Sequence, residues 1–141
     1  MSIVLKPTHS KEIMKYLVVK DPEDVYGGGI KPVEIHDDEK SAEIAVKLYT
    51  EQEKQTRDPR YKGFRYRIEK VPSVKEEPTG LTGHYLVVEM FQDSFAYDMK
   101  PLEVHNDEEG ANRSKEMYEA KLHLYPSVEG YDVIFVKRGH T

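Results

Sequence analysis

Shifted by sixty-nine positions, the chain falls into register with itself. Tyr16-Leu17-Val18-Val19 lands on Tyr85-Leu86-Val87-Val88, and Lys31-Pro32-Val33-Glu34-Ile35-His36 lands on Lys100-Pro101-Leu102-Glu103-Val104-His105. Asp38-Glu39, Ala42 and Tyr49 fall on Asp107-Glu108, Ala111 and Tyr118. A self-similar chain is one structural unit used twice, which fixes much of the architecture before finer reading. With 141 residues the whole chain buries a substantial core, whereas a single copy of about sixty residues would be marginal.

Each copy opens with an apolar run that is hydrophobic on both faces, the pattern of a covered central strand. A second strand follows in which Val33 and Ile35 alternate with Glu34 and His36, and Leu102 and Val104 with Glu103 and His105. That period of two gives each strand one core-facing side. An acidic start, Asp37-Asp38-Glu39 or Asn106-Asp107-Glu108-Glu109, then suits a helix N-terminus. Ala42, Ala45, Val46 and Tyr49, widened by Leu48, form the buried stripe of the first helix, and Ala111, Ser114, Tyr118 and Leu122, widened by Met117, that of the second. A third strand closes each copy, Phe64 to Glu69 and Tyr131 to Val136. A right-handed crossover places the first strand between the second and third.

The fold expected is therefore α+β: two tandem ββαβ repeats, each an antiparallel sheet with one helix, packed as a pseudo-twofold unit. The boundaries are an arm over 1–14 (with Ile3-Val4-Leu5 as a candidate edge strand), repeat one over 15–71, a linker over 72–83 and repeat two over 84–139. The linker reading rests on the proline- and charge-rich run Val71 to Gly80.

Charged residues make up 33% of the chain and the formal net charge is −5, the wrong sign for a general nucleic-acid binder. No cysteine is present, which removes disulfides, thiolate metal sites and cysteine nucleophiles. No basic n-region opens the sequence and no apolar run approaches the ~18 residues of a membrane span. These features predict a cytoplasmic protein that does not enter membranes.

Three clusters are candidate sites. Tyr26, Phe91, Phe95 and Tyr97 fall near loops, where aromatic side chains anchor protein interfaces. Arg57, Arg60, Lys62, Arg65 and Arg67 interleave with Tyr61, Phe64 and Tyr66, a pattern that pairs phosphates and stacks bases. Glu34, His36, Glu103 and His105 pair imidazole with carboxylate in both copies, a donor set for a metal between the repeats. Gly27-Gly28-Gly29 lacks the Lys-Ser/Thr of a phosphate-binding loop and reads as a mobile tip. No nucleophile elbow, paired-histidine helix motif, dinucleotide fingerprint or kinase signature occurs, so the chain reads as non-enzymatic and without a cofactor.

The Tyr-Leu-Val-Val run, the Val-Glu-Ile-His strand, the acidic helix start Asp37-Asp38-Glu39-Lys40-Ser41-Ala42 and the Phe64-to-Glu69 strand resemble small strand-strand-helix-strand accessory proteins of bacteriophages. The resemblance spans both repeats. It implies a small protein that binds, and modulates or inhibits, a host protein; the chain itself is read as a monomer or homodimer. The reading is a protein-binding accessory protein; the alternatives are a nucleic-acid module using residues 57–75 and a ligand or metal site between the repeats.

Overall fold

The two doubly apolar runs become the centres of the two longest-paired strands, and the rest of the molecule is arranged to cover both their faces. The computed structural model describes residues 13–22, 29–56, 63–73, 81–93, 96–121 and 128–139. The elements in chain order are β1 (Ile13–Pro22), β2 (Lys31–His36), α1 (Glu39–Thr56), β3 (Phe64–Ser73), β4 (Gly83–Asp93), β5 (Ala96–His105), α2 (Glu108–Ala120) and β6 (Val128–Lys137).

β1 pairs antiparallel with β2 on one side and β3 on the other. β4 does the same with β5 and β6. The strands do not, however, form two separate antiparallel sheets. They join in one six-stranded mixed sheet of order β2-β1-β3-β5-β4-β6, which corrects the expectation of two packed ββαβ repeats, each with its own antiparallel sheet. The join is a parallel contact between β3 and β5, Ser73 opposite Val104. The sheet curls until its outer strands also meet, at a parallel bridge between Ile35 and Arg138, where the Gly139 N–H donates to the Ile35 carbonyl at 2.7 Å. The physical reason for the correction is that both seams satisfy strand edges that separate sheets would leave unpaired.

Inside the curl lies a shared core. Leu17, Val19, Ile35 and Val71 from the first half pack with Leu86, Val88, Val104 and Val136 from the second. Each such side chain contributes about 1.5–3 kcal/mol on burial. The alternate face of β1 meets α1, where Val18 packs with Ala42 and Ala45. Small residues at those helix positions bring α1 close to the sheet. In the second half Val87 and Ala111 are likewise fully buried.

The recurrent proline has a local cost that the sheet absorbs. Pro32 faces Val19 and Pro101 faces Val88, and in both places the proline-bearing strand carries the bulge, with Val33 and Leu102 as the extra residues. A missing N–H is tolerated where the ladder is already interrupted. Gly29 has a definite role too. The Ile30 N–H donates to Asp98 Oδ1 at 2.9 Å, and a Cβ at Gly29 would lie 2.6 Å from the Asp98 Cα. Gly29 and Asp98 are counterparts under the sixty-nine-residue shift, so the two halves touch at equivalent points and one of them must lack a side chain. The first two glycines of that run, residues 1–12 of the arm and the Val74-to-Gly80 stretch lie outside the described residues, while Ile13 and Met14, assigned to the arm from sequence, belong to β1. Among the described residues, no helix is long and apolar enough to cross a membrane.

Candidate functional site

The alternation in β2 and β5 turns Glu34, His36, Glu103 and His105 away from the shared core and beneath the helices. Glu34 and His36 are both buried. The Tyr49 hydroxyl reaches down from α1 and donates to Glu34 Oε1 at 2.5 Å. His36 Nε2 lies 2.5 Å from Glu34 Oε2. Nδ1 lies 3.1 Å from Ser41 Oγ.

The second half repeats the design with one exchange. The Tyr118 hydroxyl donates to Glu103 Oε1 at 2.8 Å, and His105 Nε2 lies 2.5 Å from Glu103 Oε2. The hydroxyl that completes the set comes from Ser114, which donates to Glu103 Oε2 at 2.7 Å. The counterpart of Ser41 is Gly110, and the counterpart of Ser114 is Ala45. Burial alone would raise the Glu103 pKa, but the hydrogen bonds from Ser114, Tyr118 and His105 outweigh it and hold the carboxyl below its ordinary value. Burial, and then donation to a carboxylate, pushes Tyr49 and Tyr118 up to about 12. Each tyrosine is also stacked on a strand-three tyrosine, Tyr49 on Tyr66 at 5.1 Å and Tyr118 on Tyr131 at 5.3 Å.

Clefts open beside each network. One of about 470 Å³ runs along α1, with Glu34, His36 and Ser41 at its floor and Ile44 and Leu48 on its wall. Leu48, expected to widen the buried stripe, is 62% exposed, because the helix turns that position past the sheet edge toward the cleft rim. A second of about 450 Å³ runs along α2 and is lined by Glu89, Glu103, Ser114, Met117, Tyr118, Lys121 and Tyr131. Met117, the counterpart of Leu48, is 67% exposed.

The chemistry of the first cleft follows from its geometry. Ser41, His36 and Glu34 lie in the order hydroxyl, imidazole, carboxylate, the order that activates a nucleophile. Three features weigh against that use. The Ser41 hydroxyl also faces the Asp38 carbonyl at 3.2 Å. Only 2% of the His36 side chain is exposed. The second half keeps Glu, His and Tyr without a serine at that position. What recurs is the tie between strand and helix.

The metal set predicted from sequence is divided between the halves: Glu34 and His36 serve α1, Glu103 and His105 serve α2. Among the described residues no group of three or more metal-ligating side chains is placed to hold an ion. Of the basic set, Arg65 is exposed. Arg67 is held by Glu69 at 2.5 Å and Asp21 at 3.3 Å. Burial works against its charge, but these two carboxylates raise its pKa. Arg57, Arg60 and Lys62 lie outside the described residues. Of the aromatic set, Phe91 is half-buried on β4 and Tyr97 lies in β5, while Tyr26 and Phe95 lie outside the described residues.

Sequence reasoning placed Tyr49 and Tyr118 in the helix stripe but missed their bonds to Glu34 and Glu103. The available signal was that Glu, His and Tyr all recur at the same shift of sixty-nine. It also missed Asp37, which accepts from Lys15 at 2.7 Å and Arg138 at 2.5 Å. The second half has Asn106 and His84 at the matching positions of Asp37 and Lys15, so the duplication gave no hint of that pair. No family model, curated protein or solved structure matches this chain.

Proposed function

We propose that this is a non-enzymatic protein-binding accessory protein whose partner docks over the helix-side clefts. The observation that carries the reading is the contrast between floor and rim. The floor groups spend their donors and acceptors on one another, tying each helix to its sheet, while Leu48 and Met117 stand exposed at equivalent rims. Exposed apolar side chains beside a rigid concavity favour contact with another surface over chemistry. The resemblance to bacteriophage accessory proteins makes a host protein the partner of choice. Acidic and basic residues are divided unevenly: residues 13–73 hold twelve of each, whereas residues 81–139 hold eleven acidic and six basic. That imbalance supports a partner with a basic surface.

The test is quantitative affinity capture from a bacterial lysate with the wild-type chain and with Leu48→Ser plus Met117→Ser. A protein retained by the wild type and lost by the variant supports the reading. Retention of the same proteins by both overturns it. Binding of single-stranded RNA or DNA that disappears on Arg65→Glu would instead favour the nucleic-acid alternative, to which exposed Arg65 lends its one described side chain free of the Asp21–Glu69 network.

A further inference from the structure

We infer that the α2 cleft receives a lysine or arginine side chain from a basic segment of the protein partner. The inference rests on the protein-binding reading and specifies what that partner presents.

Three independent observations converge on a cation. The first is the lining. Tyr118 and Tyr131 are stacked at 5.3 Å and offer an aromatic wall, Met117 offers an exposed thioether at the rim, and Glu103 and Glu89 supply carboxylates. Aromatic faces combined with carboxylates recognise ammonium and guanidinium groups. Glu103 accepts three hydrogen bonds and is fixed in place by them. Glu89 makes no hydrogen bond or ion pair to any described residue. Its cross-strand neighbours are Lys100 and Tyr131, and Lys121 is the one cation in the lining.

The second is the first half of the same molecule, which serves as an internal comparison. The counterpart of Glu89 there is Lys20, and the strand position that Phe64 holds opposite Pro22 is held by Val128 opposite Phe91. Lys20 Nζ sits 4.0 Å over the Phe64 ring. The first half thus supplies its own cation–aromatic pair beside its stacked tyrosines, and the second half has an acid in place of the cation and an aliphatic side chain in place of the ring. The third is the charge imbalance, which places the chain's whole formal net charge of −5 within residues 81–139. A field of that sign concentrates and orients a basic segment before it docks.

The experiment separates a built site from general attraction. Fluorescence anisotropy is measured with labelled hexaarginine and hexalysine peptides on wild type, Glu89→Gln and Glu116→Gln. Glu116 is exposed on α2 and does not line the cleft, so both variants remove one charge from the same half. The expected result is at least a tenfold loss of affinity for Glu89→Gln and less than a twofold change for Glu116→Gln, with melting temperatures of the two variants alike. Equal losses, or no binding at low salt, overturn the inference. Spermidine is added as competitor; displacement at the concentration of the peptide itself would assign the cleft to free polyamines and overturn the peptide assignment. A captured partner lost by Met117→Ser but held by Glu89→Gln as tightly as by the wild type would overturn the cation while leaving the protein-binding reading intact.

Discussion

At the scale of single residues, the sites that matter are those where two chain segments come closer than side chains allow. Gly139 is the sharpest case. A Cβ there would overlap the His36 ring and lie 2.6 Å from Glu34 Oε2. Neither neighbour can give way, because both are buried and bonded to each other and to α1. Gly139→Ala should therefore cost about 1–3 kcal/mol, the range for overpacking a filled interior. A denaturant titration with unchanged slope and a lowered midpoint would show it. Gly130, with nothing within 4 Å of the same added atom, is the control, and Gly130→Ala should shift the midpoint little. None of this was legible in sequence. Gly139 sits near the end of the chain with no motif around it, and its role depends on a strand more than one hundred residues away. Gly29 was visible as part of a glycine run, but the reading of mobility missed that its partner is its own counterpart, Asp98.

Among elements, the recurring device is a tyrosine on each helix bonded to a carboxylate on each second strand. The opposition of Glu34 and His36 to Ile35 was legible, but the bulge turns Val33 toward α1 instead of joining Ile35 in the shared core. The helix stripe holding Tyr49 was legible apart from Leu48, which is exposed. What periodicity leaves open is whether the polar face of a strand meets solvent or a helix. Here it meets the helix, because α1 and α2 pack on the faces opposite the shared core. The tyrosines report on this directly. An ordinary tyrosine ionises near about 10, whereas Tyr49 and Tyr118 are pushed up to about 12. Their folded-state values lie above the unfolded one, so the stabilisation is fully present below pH about 10 and is lost as pH rises through about 12. An ultraviolet titration should resolve a late phenolate component, and Tyr49→Phe with Tyr118→Phe should remove it. Glu103→Gln should bring the Tyr118 part of that component to lower pH, since a neutral amide no longer favours the protonated phenol. A titration in which every tyrosine ionises together near 10 would contradict the network.

For the whole molecule, the duplication announced two units and the chain folds them as one sheet. The seams escaped sequence reading because each is a short parallel contact, Ser73 with Val104 and Ile35 with Arg138, too brief to leave a periodic trace. Asp37 anchors the second seam through Lys15 and Arg138. Burial works against its charge, but the two cations prevail and hold its pKa below the usual carboxylate value. Its contribution is present above about pH 3.9, the ordinary aspartate value, and is lost as pH falls through the lower folded value. Asp37→Asn should therefore destabilise at neutral pH and lessen the further loss below pH about 4. Removing one partner of a buried pair costs about 3–5 kcal/mol, and the lower end applies because 32% of the Asp37 side chain is exposed.

The shared core makes the strongest demand. Leu17 and Leu86 belong to different halves yet to one cluster, and both are fully buried. If each half were stable alone, Leu86→Ala would lower one of two thermal transitions and leave the other in place. With the core held in common, neither half retains a covered inner face once its twin opens. The expected outcome is a single calorimetric transition in the wild type. Leu17→Ala and Leu86→Ala should each shift that one transition by an amount equivalent to about 2–5 kcal/mol, the range for a leucine cavity. The calorimetric and van't Hoff enthalpies should agree in all three proteins, as they do when a domain unfolds as one body. A variant whose melt splits in two, with one phase at the wild-type temperature, would show that each half stands without the other.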